Sequence, residues 1–185
     1  MHLKFSLPPL QLDKSLRMPI FLLILLDQMI KLILYFFIYS KDYPLIGSFL
    51  RIFPIINTNL SWPGNYLSLF QNFYFLMILN VLILFLAKYL YLFYKRKVTE
   101  ENPVIKSVYI IFQAGAIASL LDKLFWGGSL DYVMVNEAFV FDLKDCYLTI
   151  SVFIIVIVMF KNYRYLKKIK RMEFLRFVFQ KREEN

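Results

Sequence analysis

The chain has one cysteine and one histidine in 185 residues, and each scarcity removes a class of chemistry. A lone Cys146 cannot form an intramolecular disulfide and gives no reading of the redox compartment. The only histidine, His2, lies in the N-terminal arm, far in sequence from the acidic groups discussed below, so Ser/His and Cys/His catalysis have no base to use. Zinc lacks ligands for the same reason, and neither a metal nor a cofactor is expected. Acidic residues are also few, 13 against 22 basic ones, which leaves a formal charge of +9.

Apolar side chains are plentiful, at 59% of the sequence, with aromatics at 19%. Such values belong to an integral membrane protein rather than a soluble domain of this length. The basic residues gather in clusters between apolar runs, which suits a bilayer surface and anionic lipid and speaks against nucleic acid.

Four segments are long enough to cross about 30 Å of hydrocarbon as helix, at about 19–39, 70–94, 108–125 and 146–160. The first is too long for a signal-peptide core and has no small-residue cleavage site after it, so it is expected to be retained. Lys4, Lys14 and Arg17 precede the first span, Lys95, Arg96, Lys97 and Lys106 join the second to the third, and nine basic residues fill the tail 161–185. The positive-inside rule places these faces and both termini in the cytoplasm. The fold class expected is an all-α four-transmembrane-helix bundle forming a single domain over 1–185. The connection 40–69 mixes Pro, Gly and Asn with β-branched and aromatic residues and is expected to form a small extracytoplasmic β-rich flap. The basic and apolar tail suits an amphipathic helix lying on anionic lipid.

Few charges interrupt the apolar spans. Asp27 and Lys31 stand four apart within the first, on one helical face where they can neutralise each other. Asp122 and Lys123 end the third span, and Gly115, Ala116, Ala118 and Ser119 before them allow close helix approach. Asp131 follows Gly127, Gly128, Ser129 and Leu130, a flexible approach, and Asp142 and Asp145 open the fourth span. Asp145 suits ordinary helix capping as well as chemistry. Carboxylates at the mouth of a membrane bundle are costly, which makes them functional candidates. If Asp131 and Asp145 converge in a partly dry site, they share a proton: one takes a proton from water while the other donates to the scissile carbonyl, and peptide hydrolysis follows.

Asp-Gln-x-x-Lys at 27–31, Gly-x-x-x-Ser-x-x-Asp-Lys at 115–123, Leu-Asp-Tyr at 130–132 and Phe-Asp-x-x-Asp at 141–145 resemble the signatures of lipoprotein signal peptidase, or signal peptidase II. That family carries Asp-x-x-x-Lys, Gly-Gly-Ala-x-Gly-Asn-x-x-Asp-Arg, Val-x-Asp-Phe and Phe-Asn-x-Ala-Asp. The resemblance implies a membrane aspartic endopeptidase in the bacterial cytoplasmic membrane. It would remove the signal peptide of a prolipoprotein whose cysteine bears diacylglycerol, and act as a monomer. Asp131 and Asp145 match the catalytic pair; Asp27, Lys31 and Asp122 match supporting positions, Ser119 and Lys123 stand at supporting positions where the family has asparagine and arginine, as Asp142 does at another, and Gly64 is placed at the glycine of the outer Asn-x-Gly-x-Ala-Phe motif. Asp142 and Lys144 stand where the family has asparagine and alanine. If Lys144 reaches Asp145 it threatens the shared proton, whereas pairing with Asp142 leaves the dyad intact. The alternatives are an altered homologue that binds lipid or signal peptides without cutting, and a small proton or ion conductor.

Overall fold

Inside a bilayer the backbone must satisfy its own hydrogen bonds, so long runs of Leu, Ile and Phe become helices. The computed structural model describes residues 14–58, 72–97 and 102–161. Its helices are α1 (Lys14–Ile38), α2 (Phe73–Lys97), α3 (Pro103–Trp126) and α4 (Leu143–Lys161), each long and apolar enough to cross a membrane. The protein is a membrane protein with a four-helix bundle and a small antiparallel sheet. The helices run past the apolar limits by several residues: α1 begins at Lys14 and carries Pro19 inside it, and α3 begins at Pro103. Asn102 caps α3 by accepting from the Val104 amide at 2.9 Å, and Pro103 at the first position has no amide to leave unsatisfied.

The sheet is larger than a flap built from 40–69. Strands β1 (Tyr43–Ile46) and β2 (Leu50–Asn57) come from that connection, but β3 (Ser129–Val135) and β4 (Phe139–Phe141) come from the one before α4. They pair in the antiparallel order β1-β2-β3-β4. A two-stranded hairpin is marginal alone, and the run Leu-Asp-Tyr-Val-Met-Val supplies the partner that β2 lacks. The β2–β3 register shifts between Ile52 and Ile55, around the buried Pro54, which has no amide to give the ladder. Asp131 therefore sits on a strand opposite Ile55 and not on a flexible loop. The expected amphipathic tail, apart from Lys161, and Gly64 lie outside the described residues.

The burial pattern is the inverse of a soluble bundle. Leu22, Leu26, Ile33, Phe36 and Phe37 of α1 are exposed, as lipid-facing residues are, while Asp27 and Lys31 are completely buried. Away from the sheet, Leu16, Ile20, Tyr91, Tyr109, Ala114 and Tyr147 pack together, with Tyr91 stacked on Tyr109 at 4.0 Å. Gly115 brings α3 onto α4, since a Cβ there would stand 3.0 Å from Leu148 and 3.1 Å from the Lys144 carbonyl. This contact seats the start of α4, where the acidic residues converge.

Candidate active site

Five aspartates and two lysines meet where α1, α3, β3 and the start of α4 come together. They form two acidic triads, Asp27/Asp122/Asp142 and Asp131/Asp142/Asp145, each with carboxylate oxygens within 4.8 Å of one another. An ammonium stands at each. Lys31 Nζ lies 2.8 Å from Asp27, 2.6 Å from Asp122 and 2.6 Å from Asp142, with all four side chains fully buried. Three N–H groups thus meet three carboxylates, the condition under which a buried ion cluster is tolerable.

Lys144 Nζ serves the second triad, at 2.6 Å from Asp142, 3.5 Å from Asp131 and 3.6 Å from Asp145. It also donates to Ser129 Oγ at 2.6 Å and lies 3.3 Å from Asp122. Both geometries considered from sequence are therefore present at once: Lys144 pairs closely with Asp142 and reaches the two dyad candidates. Asp142 joins the triads, and Asp27 ties α1 to α4 by accepting the Lys144 amide at 3.1 Å. Gln28 adds a bridge, donating to Asp27 at 3.0 Å and Asp122 at 2.9 Å.

Local structure sets each carboxylate. Asp142 is the N-cap of α4 and accepts the Asp145 amide at 3.1 Å, while Asp145 Oδ2 accepts the Asp142 amide at 3.3 Å. This reciprocal capping box fixes one oxygen of Asp145 and leaves Oδ1 toward Lys144. Capping and chemistry are thus compatible at Asp145, whose side chain is 40% exposed. Asp131 is buried, and Ser129 Oγ donates to its Oδ1 at 2.5 Å while Asn57 Nδ2 donates to its Oδ2 at 2.8 Å. The turn into β3 needs Gly127, which caps α3 at φ 66° in the left-handed region.

Burial pushes the Asp131 carboxyl above the usual range, against the Lys144 ammonium and the bonds from Ser129 and Asn57. Burial acts in the same sense at Asp142, but the Lys144 and Lys31 ammoniums together outweigh it and hold that carboxyl low. Lys123 does not pair with Asp122 as its sequence neighbour; it folds back along α3 to Ser119, at 2.9 Å from Oγ and 3.3 Å from the carbonyl. An apolar cleft of about 480 Å³ opens between α1 and the sheet, lined by Ile30, Leu34, Ile38, Tyr43, Ile52 and Tyr132.

The family model described as signal peptidase (SPase) II matches residues 19–161. The chain belongs to the signal peptidase II family. It is accordingly a bacterial multi-pass membrane peptidase. Two solved structures, each titled as a bacterial membrane enzyme determined by the in meso method, share this fold with TM-scores of 0.68 and 0.67. Both are 22% identical to the chain; the first alignment covers 90% of this chain and 98% of the other, and the second 80% and 94%. Among the curated proteins compared, none matches it at significance.

Two polar partners of Asp131 emerge only from the fold: residue order marks Ser129 as part of a flexible approach and gives Asn57 no role. A signal for Asn57 existed: Asn-Thr-Asn-Leu-Ser-Trp at 57–62 fits the outer signal peptidase II pattern Asn-x-Gly-x-Ala-Phe in its first residue and its terminal aromatic.

Proposed function

We propose that the chain is an aspartic endopeptidase that removes signal peptides from diacylglyceryl-modified prolipoproteins, with Asp131 and Asp145 activating water. The observation that carries this reading is the convergence of those two carboxylates within 4.8 Å, one buried and one open, at the sheet end of a membrane bundle. Asp145, the more exposed, is suited to meet water, and Asp131, fixed by Ser129 and Asn57, is suited to hold the geometry. The cleft between α1 and the sheet is apolar enough for an acyl chain or the apolar stretch of a signal peptide. In this reading the sheet faces away from the cytoplasm, both termini face inward, and the peptidase acts as a monomer on lipid-embedded substrate.

Asp131→Asn and Asp145→Asn, each purified folded in micelles, are expected to lower cleavage of a diacylglyceryl-modified prolipoprotein peptide by about 100-fold or more. Undiminished cleavage in either variant would sink the assignment. Lys144 beside both carboxylates favours one other reading, a homologue that binds such peptides without cutting them. Saturable binding of the peptide with no cleavage across a panel of substrates would establish that instead.

A further inference from the structure

A carboxylate dyad ordinarily needs one proton between its two members, because two like charges in a dry site repel. Here a lysine ammonium lies 3.5 Å from one member and 3.6 Å from the other, with a side chain only 5% exposed. We propose that Lys144 takes the place of the shared proton, so that this peptidase works with both Asp131 and Asp145 ionised and with the ammonium as the acidic partner of the reaction. The inference rests on the peptidase reading above for its chemistry, but the charge assignment has its own test.

The charges are consistent with this arrangement. Two carboxylates and one ammonium carry the same net charge as two carboxylates and one proton. The signature that places alanine at 144 places asparagine at 142, and this chain has Asp142 at 2.6 Å from Lys144. Asp142 also lies 2.6 Å from Lys31, so it is shared between two ammoniums: it keeps Lys144 from being a lone buried lysine and leaves part of that charge to the dyad. Of the other charged groups near Lys144, Asp27, Asp122 and Asp142 all meet Lys31, Asp122 and Asp142 also lie 3.3 and 2.6 Å from Lys144, and Lys123 turns to Ser119. The Lys144 N–H groups reach Ser129 and Asp142 at 2.6 Å each, and Asp131 only at 3.5 Å. The long contact leaves one donor able to serve a developing charge.

The step then balances without a pre-protonated carboxyl. Asp145 accepts a proton from water as the water oxygen bonds to the scissile carbonyl carbon, and the carbonyl electron pair moves onto oxygen. The resulting oxyanion accepts a hydrogen bond from the Lys144 ammonium. As the carbonyl re-forms, the C–N bond breaks, and the leaving nitrogen takes the proton held by Asp145. The dyad returns to its doubly ionised state.

Two variants test this. Lys144→Met leaves Asp142 paired with Lys31 at 2.6 Å, and Asp142→Asn with Lys144→Ala removes the close pair as a unit. Infrared spectra in micelles at neutral pH are expected to show no protonated carboxyl from Asp131 or Asp145 in the parent. One should appear in Lys144→Met and vanish when Asp145→Asn is added. In cleavage assays the parent should keep kcat on the alkaline side, while the double variant loses kcat rather than KM there, by about tenfold per pH unit. A protonated dyad carboxyl in the parent, or the parent's alkaline profile in the double variant, overturns the proposal. A parent that cleaves nothing sinks the peptidase reading, and the infrared spectra then decide the charge assignment alone.

Discussion

The two halves of the bundle are held together by different forces. Away from the sheet, Leu16, Ile20, Tyr91, Tyr109, Ala114 and Tyr147 pack as apolar surfaces. In a membrane this gives dispersion and close fit, with little hydrophobic drive, since lipid is as apolar as the helices. Toward the sheet, Asp27, Lys31, Asp122, Asp142 and Lys144 are buried and joined by contacts of 2.6 to 3.3 Å. Apolar contacts tolerate small shifts, whereas an ionic cluster in low dielectric is satisfied in few geometries and fails steeply when one partner is lost. The half that needs fixed positions for chemistry is the half held by charges.

The largest test of this contrast is Lys31→Met, which removes an ammonium that three buried carboxylates share and leaves Lys144 to serve Asp122 and Asp142 alone. A loss of about 3–5 kcal/mol is expected, enough to abolish a folded protein in mild detergent, measured by thermal unfolding in micelles. A smaller loss should follow acidification. The folded-state pKa of Asp142 is depressed, so its contribution is fully present above the unfolded value near 4 and disappears as pH falls through the folded one. The melting temperature should hold from neutrality to about pH 5 and drop below about pH 4. Asp131 is shifted upward and acts with the opposite sign, so Asp131→Asn should make the acid loss steeper.

Where the two halves meet, Gly115→Val forces atoms into a seam where even a Cβ meets Leu148 at 3.0 Å and the Lys144 carbonyl at 3.1 Å. Overpacking there should cost about 1–3 kcal/mol and, because α4 carries Asp145, lower cleavage as well. The smallest effect is expected on the sheet surface. Arg51 pairs with Asp42 at 2.8 Å and Glu137 at 3.1 Å, but those partners are 43% and 69% exposed. Water screens such pairs, and Arg51→Ala should shift stability by about 1 kcal/mol or less.

Much of this was legible from residue order. The spans could be read because each is an unbroken apolar run, and Asp27 with Lys31 because a helix repeats in fours. The sheet was only half legible, since β3 is too short to declare itself until β2 offers an edge. Asn57 and the reach of Lys144 to Asp131 were harder still: those contacts span 74 and 13 residues, so they depend on how β2 and the start of α4 meet β3.

Composition by itself determined that the chain crosses a membrane, which charges interrupt the spans, and which chemistries have no residues to run them. Tertiary structure alone decided how those charges combine. Long-range electrostatics depends on distance and not on sequence separation: Asp142 closes two triads at once, and Lys144 reaches both Asp131 and Asp145, because four elements converge on one point.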